Sequence, residues 1–533
     1  MTARLNEIEI VFKSKIDNLK VIKDFEVIDD YIIGEIEVIC GSKPNVSFDV
    51  KIDPSYPLKV GSVESISFVN INLKQYSHIN PNGSICFHTQ TSPDLTYKLG
   101  GDIKALLEWV DKYYIQEIVD DHFEYPFYTI QDEKNVFLFC DTDTMPSKDD
   151  FGNFYFTRSN TNGIKSTYLI QGLKSHLSGV KTTFLWNSYY GSFKNSLKGL
   201  FFISDRAPVL YRNFSFNNWL EFEGIFSADF LKFLNDSKRN IEKKDLLDGK
   251  FFVLLYGFPI LGGKFSYETV MVDYYNIPAY KGELLENKIT WYKTVDSSYE
   301  LFFGRGKLHD SLTESKILVL GIGALGSNLA ESLVRGGCKK VDLFDNDIKE
   351  IGNICRAKYN FLNGENQKVD ELLLSLISIS PFVEITKYNN AVVPLISDEL
   401  KRIYLEVFDR YDYIFNCTAS NDVNIIIDRL PIKSQLITIS ISNHAKDLVC
   451  VIGKENVFQE NAKIYNEINQ DLSDMFNPQG CWNPTFKASF HNINALLNYT
   501  LSNIDYRLRK DLPLKTFMLE VQEEENYTIK LKD

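Results

Sequence analysis

The 533-residue chain contains little cysteine and no closely spaced cysteine pair. Its eight cysteines include no Cys-x-x-Cys pair, a pattern that fits neither a disulfide framework nor a zinc ribbon. We therefore expect a reducing compartment, the cytoplasm. No apolar run approaches the roughly 20 residues of a membrane span, and the first residues lack an uninterrupted apolar signal core. We expect no membrane association.

Long basic runs are also missing. The formal net charge is −13, which argues against broad nucleic-acid binding. Hydrophobic residues make up 44% of the chain and charged residues 24%, values typical of globular proteins. No internal repeat or Gly/Ser linker is present, yet the chain is too long for a single core, so we expect several domains.

Changes in pattern along the chain predict an α/β protein with three domains. Residues 1–128 show a helix, alternating strands and further helices, an α+β order. Residues 129–304 are dense in Phe and Tyr with short strand-like runs, which predicts a mixed α/β linker domain. Residues 305–533 alternate strands and helices, the signature of a parallel sheet with crossover helices, as in Rossmann-like folds.

The segment "SKILVLGIGALGSNLAESLVRGGCKKVDLFDND" is the most informative. A wholly apolar strand, Ile317–Leu320, is followed by Gly321, Gly323 and Gly326 in GxGxxG spacing and then by an amphipathic helix. Such glycines let a backbone approach phosphates at a helix N-terminus. Asp345 ends the next strand, where it can accept hydrogen bonds from ribose hydroxyls. These features predict a nucleotide site and leave NAD or ATP open.

The residues that follow favour ATP. Asn353, Arg356 and Lys368 lie beyond the acidic strand end. A nicotinamide site holds its pyrophosphate mainly through backbone amides, whereas an adenylating site needs cations for the triphosphate and for the charge that develops at the α-phosphate. This pattern therefore counts against a nicotinamide-dependent oxidoreductase.

The motif order resembles that of the ThiF-type, ubiquitin-activating adenylyltransferases, over roughly residues 305–500. It consists of the glycine loop followed by Asp345, Asp347, Asn353, Arg356 and Lys368. The resemblance implies a substrate carboxylate activated as an acyl-adenylate with ATP and Mg²⁺. It also implies that Asp345 holds the ribose, that Asn353 and Arg356 contact phosphates, and that Lys368 binds the triphosphate. Arg305 matches an arginine that crosses a homodimer interface to the partner's ATP in this family; a surface arginine in a salt bridge is the alternative.

The sequence departs from the family at the magnesium position. The family places a metal-binding aspartate after a strand end, where this chain has Ala419 and Ser420. Asp422 lies nearby but out of register, so no metal ligand is assigned. The departure also supports a non-catalytic scaffold as one alternative.

Two cysteines follow turn residues instead of lying within apolar runs. Cys86 comes after the turn in "INPNGSICFHTQ", and Cys481 follows "NPQG" and precedes a helix. Members of the resembled family pass the adenylated carboxylate to a cysteine as a thioester, and bacterial activating-conjugating fusions carry a Gly-Cys-Trp segment near the C-terminus. A thiolate at a loop-helix junction also gains from the helix dipole.

With this assignment, residues 1–128 resemble a ubiquitin-conjugating domain. The order of elements is similar, and "NGSIC" resembles the prokaryotic pattern around the catalytic cysteine. The eukaryotic His-Pro-Asn tripeptide is broken here. His78 matches its histidine, and Asn80 or Asn82 is a candidate for the oxyanion donor or a plain turn residue.

The whole chain thus resembles the bacterial fusion of conjugating and activating enzymes of CBASS anti-phage operons. The resemblance implies ATP-dependent adenylation of a partner's C-terminal tail, transfer to Cys481 and then Cys86, and conjugation to an amine. The implied partner is a cGAS-like nucleotidyltransferase or a ubiquitin-like protein. A ThiF-type sulfur-carrier activator is the main alternative; the conjugating-like domain and the missing Cys-x-x-Cys pairs count against it.

Overall fold

The computed structural model describes residues 2–14, 16–120, 126–128, 131–159, 165–191, 194, 196–240, 247, 251–273, 289–361, 366–393, 397–469, 471, 473, 475–476, 485–523 and 525–532. The chain divides into two compact units. One contains Met1–Phe139, Thr144–Thr183 and Phe193–Asp296, and the other contains Cys140–Asp143, Phe184–Ser192 and Ser297–Asp533. None of the helices in these described ranges has the length and apolar character needed to cross a bilayer.

The first unit opens with an antiparallel meander between two helices. Its elements are α1 (Thr2–Lys13), β1 (Leu19–Ile28), β2 (Tyr31–Val38), β3 (Val46–Ile52), β4 (Ile66–Val69) and α2 (Leu95–Trp109). The side chain of Asp94 accepts a hydrogen bond from the Tyr97 amide at 2.7 Å and so starts α2. A π-helical turn, Val110–Ile115, follows α2. One apolar core joins α1, the meander and α2. This order agrees with the predicted α+β arrangement; its likeness to conjugating enzymes stays a prediction.

The rest of the first unit is a second sheet with two helices. Its elements are β5 (Gln131–Phe139), β6 (Phe151–Arg158), β7 (Ser166–Ser175), β8 (Lys181–Thr183), β9 (Leu197–Ile203), β10 (Val209–Tyr211), β11 (Phe214–Ser215), α3 (Trp219–Glu223), α4 (Ala228–Asn240), β12 (Phe251–Ile260), β13 (Lys264–Asp273) and β14 (Thr290–Asp296). The large sheet has the order β5-β14-β13-β12-β9-β6-β7-β8. Because β5 also pairs with β7, seven strands close into a ring.

Aromatic side chains pack within this closed sheet. The ring of Phe137 on β5 lies 5.3 Å from that of Phe156 and 5.1 Å from those of Tyr168 and Tyr292. The predicted strand-like runs "NVFLFC", "GLFFI" and "KFFVLLYGFPI" lie in strands β5, β9 and β12. Strands dominate the described part of this region more than the predicted mixed α/β linker implied, because its aromatic runs pair with distant strands.

The second unit contains the remaining elements. They are α5 (Tyr299–Phe303), α6 (Asp310–Thr313), β15 (Lys316–Leu320), α7 (Ala324–Arg335), β16 (Lys340–Phe344), α8 (Ile351–Ile354), α9 (Lys368–Ile379), β17 (Lys387–Tyr388), α10 (Asp398–Phe408), β18 (Tyr413–Asn416), α11 (Asn421–Asp428), β19 (Gln435–Ser442), β20 (Asp447–Gly453), α12 (Val457–Glu467), β21 (Met475–Phe476), β22 (Thr485–Phe486), α13 (Phe490–Arg509), β23 (Phe517–Glu523) and β24 (Tyr527–Lys532). The main sheet has the order β17-β16-β15-β18-β19-β20-β23-β24.

Strands β15 to β19 of this sheet confirm the predicted parallel core. β15 pairs in parallel with β16 on one side and with β18 on the other. Strands β16 and β17, which follow β15 in sequence, therefore lie on one side of it. The later strands β18 and β19 lie on the other side. In open α/β sheets, ligands bind beyond the carboxyl ends of the strands at such a switch point. Leu325, Leu329 and Leu333 bury one face of α7 against the core, as their spacing predicted.

Candidate functional site

A cavity opens beyond the carboxyl ends of β15 and β18, at the switch point. It has two adjoining parts, of about 720 and about 300 Å³. Residues that line both parts are Gly323, Asn346, Asp347, Lys368, Cys417 and Thr418. The glycine loop, the acidic strand end and the start of α9 therefore meet in one place, although Gly321 and Lys368 lie 47 positions apart in sequence.

The three glycines have different roles. Gly321 has φ +78°, and a Cβ on it would lie 2.8 Å from Thr418 Cγ2. A Cβ on Gly326 would lie 1.9 Å from the Gly321 carbonyl oxygen, so this residue allows α7 to pack against the loop. Around Gly323, by contrast, a Cβ would meet no atom within 4 Å. The backbone of Gly323 thus faces open space in the cavity at the N-terminus of α7, where an anion is favoured.

Asp345 lies where the sequence predicted, at the end of β16. Its carboxylate accepts hydrogen bonds from the amides of Ile322 and Asp347, each at 2.8 Å. Burial raises the pKa of Asp345 above its ordinary value. The two amides fix the carboxylate at the edge of the smaller part of the cavity.

Lys368 and Asp347 form an ion pair inside the cavity. Lys368 Nζ lies 2.8 Å from Asp347 Oδ2, and its side chain is 9% exposed while that of Asp347 is 61% exposed. A buried ammonium beside an exposed carboxylate can exchange that partner for a phosphate with little rearrangement. The geometry is therefore compatible with the predicted role of Lys368.

Arg356 and Asn353 line the larger part of the cavity. Asn353 is tied to the start of α8, where its side-chain oxygen accepts from the Glu350 amide at 3.0 Å. The backbone carbonyl of Arg356 accepts from Asn328 Nδ2 of α7 at 3.1 Å. No sequence pattern indicated this link, in which a fully buried Asn328 joins the glycine-loop helix to the backbone of the arginine.

A buried ion pair that the sequence analysis missed supports the same loop. Lys349 Nζ lies 2.6 Å from Glu371 Oε2, with the two side chains 3% and 2% exposed. Lys349 also donates to the Asn360 carbonyl at 2.6 Å, and Glu371 accepts from the Asn360 amide. The pair thus fastens the 349–360 segment, which carries Arg356, to helix α9, which carries Lys368. The one signal in the sequence was an acidic residue within the apolar run of α9.

The segment after β18, which adjoins the glycine loop, lacks the family's metal-binding aspartate. At the family's aspartate position, Ala419 adopts φ +52°, and the hydroxyl of Ser420 accepts from the Val423 amide at 3.3 Å to cap α11. Throughout the described part of the chain, no group of three His, Cys, Asp or Glu side chains could hold a metal ion. The described residues therefore supply no carboxylate at the family's Mg²⁺ position. Cys417 beside them is buried, which raises the pKa of its thiol to about 12.

Two predicted site residues lie elsewhere. Arg305 is exposed in the turn after α5 and is not among the residues that line the cavity. Cys481 falls outside the described residues. The roles predicted for both stay predictions.

In the first unit, Cys86 ends a tight hairpin. Its amide donates to the His78 carbonyl at 2.7 Å, and Ile79 and Ile85 form an antiparallel bridge. The Cys86 side chain is exposed, whereas Cys40, Cys140, Cys338, Cys417 and Cys450 are buried. A cavity of about 530 Å³ lies beside Cys86. An exposed thiol on a hydrogen-bonded hairpin is accessible to a large acyl donor.

The asparagines of the hairpin are used within its turn. Asn80 Nδ2 donates to Ser84 Oγ at 3.0 Å. Asn82 Oδ1 accepts from the Ser84 amide at 3.0 Å and from its hydroxyl at 2.8 Å. Both side chains therefore have the contacts of turn-forming residues.

A buried ionic cluster holds the segment after Cys86. Lys98 Nζ lies 2.7 Å from Glu64 Oε2 and 2.6 Å from Asp102 Oδ1, with all three side chains almost fully buried. The Thr89 amide donates to Glu64 Oε1 at 2.9 Å. Because Thr89 lies three residues beyond Cys86, the cluster fixes the chain that leaves the hairpin.

Comparisons with known proteins bear on the second unit. Residues 298–460 match the family model described as the ThiF family, so a ThiF-family domain lies in this part of the chain. The chain is 27% identical over 214 residues to the ATP-dependent ubiquitin transferase-like protein Cap2 of Enterobacter hormaechei subsp. hoffmannii, covering 38% of this chain and 35% of that protein. It is 36% identical over 81 residues to the ubiquitin-like modifier-activating enzyme 5 of Bombyx mori, covering 15% of this chain and 21% of that protein.

A solved structure is similar at a lower level. The crystal structure of E. coli MccB with succinimide has 15% identity and a TM-score of 0.30, covering 42% of this chain and 64% of that one. The chain spans only about a third of the length of the Cap2 relative and less of the insect enzyme. The activities of those whole proteins are therefore only proposals for this chain.

Proposed function

We propose that the second unit uses ATP to adenylate the C-terminal carboxylate of a protein partner. One observation carries this proposal: the cavity brings the open backbone at Gly323 together with Arg356 and Lys368. Backbone amides at a helix N-terminus and two cations suit a triphosphate. The ThiF-family match and the similarity to Cap2 support the same chemistry.

The reaction follows from this arrangement. A carboxylate oxygen attacks the α-phosphorus of ATP, the bond to the β-phosphate oxygen breaks, and pyrophosphate leaves. In this proposal Asp345 holds the ribose, which fixes the α-phosphate over Gly323. Lys368 exchanges Asp347 for the phosphates, and Arg356 neutralises the charge that develops in the transition state. Asn353 keeps the loop that carries Arg356 capped and in place.

The nucleotide would be bound as its magnesium complex. Because Ala419 and Ser420 supply no carboxylate at the family's position, we assign no metal ligand in this chain and no step to a protein-held ion. The positive charge that the reaction needs from the protein comes from Arg356 and Lys368.

We further propose that the activated acyl group passes to Cys481 as a thioester, then to Cys86, and finally to an amine. The exposure of Cys86 on its hairpin and the resemblance to bacterial conjugating-activating fusions support this relay. By that resemblance the partner is the tail of a cGAS-like nucleotidyltransferase or a ubiquitin-like protein, in cytoplasmic anti-phage defence. Arg305 would then complete the ATP site across a homodimer. A sulfur-carrier activator shares the first step and lacks the relay.

ATP–pyrophosphate exchange tests the adenylation. The probe is a set of peptides with free C-terminal carboxylates, each matched by its C-terminal amide. We expect exchange with at least one carboxylate peptide and with none of the amides. Arg356→Ala should lower it by about 100-fold or more, while Cys86→Ala and Cys481→Ala leave it unchanged.

Arg335→Ala is the matched control, since Arg335 is an exposed arginine paired with Glu331 at 2.7 Å on the surface of α7. Binding of NADH without binding of ATP would contradict the adenylation proposal. Exchange without a reducible adduct on either cysteine would contradict the relay and favour sulfur-carrier activation.

A further inference from the structure

The hairpin places a histidine directly opposite Cys86. Ile79 and Ile85 pair across the hairpin, and the Cys86 amide bonds to the His78 carbonyl, so residues 78 and 86 are cross-strand neighbours. The Cα atoms of such neighbours lie roughly 4.5 to 5.5 Å apart. His78 has φ +59°, a left-handed conformation that histidine adopts more often than most residues do. The hairpin therefore brings the backbones of His78 and Cys86 side by side.

A carboxylate orients this imidazole. His78 Nε2 lies 2.5 Å from Asp120 Oδ2. The same carboxylate accepts from Lys112 Nζ and from the Tyr113 hydroxyl, each at 2.7 Å. The hydrogen bond from Lys112 holds the pKa of Asp120 well below its usual range. The Tyr113 ring also packs on His78 at 4.8 Å between centroids.

An ionised Asp120 selects one form of His78. A carboxylate only accepts hydrogen bonds, so it keeps the proton of a neutral imidazole on Nε2, which leaves the lone pair on Nδ1. This is the arrangement of a general base with an orienting acid. The side chains of Asn80 and Asn82 are engaged with Ser84 inside the turn.

We propose that His78, oriented by Asp120, accepts the proton of the amine that attacks a thioester on Cys86; this rests on the proposed role of Cys86 as an acyl carrier. The amine nitrogen bonds to the thioester carbonyl carbon, and the carbon–sulfur bond breaks. The electron pair leaves with the Cys86 sulfur, and the proton of the nitrogen passes to His78 Nδ1. His78 is then a catalytic residue, and Asp120 is a positioning residue.

The test separates loading of Cys86 from discharge. The full-length protein carries Cys355→Ser and Cys481→Ser, so that Cys86 is the one exposed thiol among the described cysteines. It is charged with the 2-mercaptoethanesulfonate thioester of fluorescein-labelled glycine and chased with ethylamine. We expect His78→Asn to load normally and to discharge at least 100-fold more slowly at pH 7. Asp120→Asn should also slow discharge, and Asp120→Glu should restore part of the rate.

A pH profile distinguishes a base from a structural residue. Discharge by the parent, divided by the concentration of unprotonated ethylamine at each pH, should rise with pH as a single group on the protein loses its proton. This rise in the corrected rate should be absent in His78→Asn and retained in His88→Asn, a histidine two residues beyond Cys86 that serves as the matched control. Among the described residues, the titratable groups around His78 include Asp120, Lys112 and Tyr113, so Lys112→Met checks that the rise does not belong to the lysine.

Each outcome decides between two ideas. Normal loading with an unchanged discharge rate and pH profile in both His78→Asn and Asp120→Asn would overturn this inference and leave the proposed function standing. If His78→Asn discharges at the parent's rate while Asp120→Asn is slow, a hydrogen-bond donor at position 78 is sufficient. That result would also overturn the role of His78 as a base. Failure of the parent to load Cys86, with the Cys86→Ala variant as the blank, would remove the proposed relay through Cys86 and leave the adenylation to be tested by exchange.

Discussion

Lys349 Nζ and Glu371 Oε2 lie 2.6 Å apart with both side chains almost completely buried. The pair closes the loop that carries Arg356 onto the helix that begins with Lys368. Neither residue was a predicted site residue, yet the positions of both predicted cations depend on it.

Removing one partner of this pair should be strongly destabilising. Lys349→Met leaves the Glu371 carboxylate buried without its counter-ion, at a cost of roughly 3 to 5 kcal/mol in the free energy of unfolding. The double variant Lys349→Met/Glu371→Leu should recover part of that loss, because no charge is then stranded. Urea unfolding measures both changes. Equal stability of the single variant and the parent would show that the pair has no structural role.

Two substitutions in the glycine loop should distinguish an effect on ATP binding from an effect on stability. Gly323→Ala introduces a Cβ with no atom within 4 Å, so the thermal unfolding temperature should change little, while the methyl group occupies cavity space and weakens ATP binding. Gly326→Ala places its Cβ 1.9 Å from the Gly321 carbonyl oxygen and should destabilise by about 1 to 3 kcal/mol. Calorimetric titration with ATP and thermal unfolding together check this contrast. Tight ATP binding by Gly323→Ala would contradict the placement of the phosphates.

Glu268 in the closed sheet should make stability depend on pH. Burial raises the pKa of its carboxyl to about 8. In the unfolded chain Glu268 loses its proton near pH 4.5, whereas in the folded chain it keeps the proton until about pH 8. Its contribution is thus complete below pH 4.5 and is lost as pH rises to about 8.

The free energy of unfolding that Glu268 contributes and then loses between pH 4.5 and about pH 8 is on the order of 5 kcal/mol. Glu268→Gln should remove this pH-dependent loss. The free energy of unfolding of parent and variant at pH 5 and pH 8 gives the measurement. A parallel decline in both proteins would assign the pH dependence to other groups.

Thiol alkylation should divide the described cysteines by exposure. Cys86 and Cys355 are exposed and should react with iodoacetamide in the native protein. Cys417 should resist until denaturant is added, because it is buried and its pKa is raised to about 12. Mass spectrometry of tryptic peptides locates the adducts. Rapid labelling of Cys417 in the native protein would contradict its burial and show that iodoacetamide reaches this thiol through the cavity.

The sequence predicted the local parts of this molecule well. The apolar strand, the glycine loop and helix α7 follow from residues within one short segment. The cations Arg356 and Lys368 could be placed near the glycines because carboxyl ends of parallel strands share one edge of the sheet.

Long-range pairing could not be predicted in the same way. The contact of β5 with β7 closes the second sheet, but no pattern within either strand specifies its partner. Lys349 and Glu371, which form an ion pair, lie 22 positions apart in sequence. His78 and Asp120, which form a hydrogen bond, lie 42 positions apart. Asn80 and Asn82 were ambiguous because the sequence does not show where a turn side chain points.

The closed sheet also limits how this chain can be cut or rearranged. Its first and last strands, β5 and β14, lie side by side and run in the same direction. The polypeptide therefore enters the ring at one pole and leaves at the opposite pole. A module of this kind cannot be excised like a loop insertion, whose two ends meet. Truncations that begin before Gln131 keep the ring whole. Those that begin after Phe139 remove β5, which takes away the partner of β14 on one side and the partner of residues 166–169 of β7.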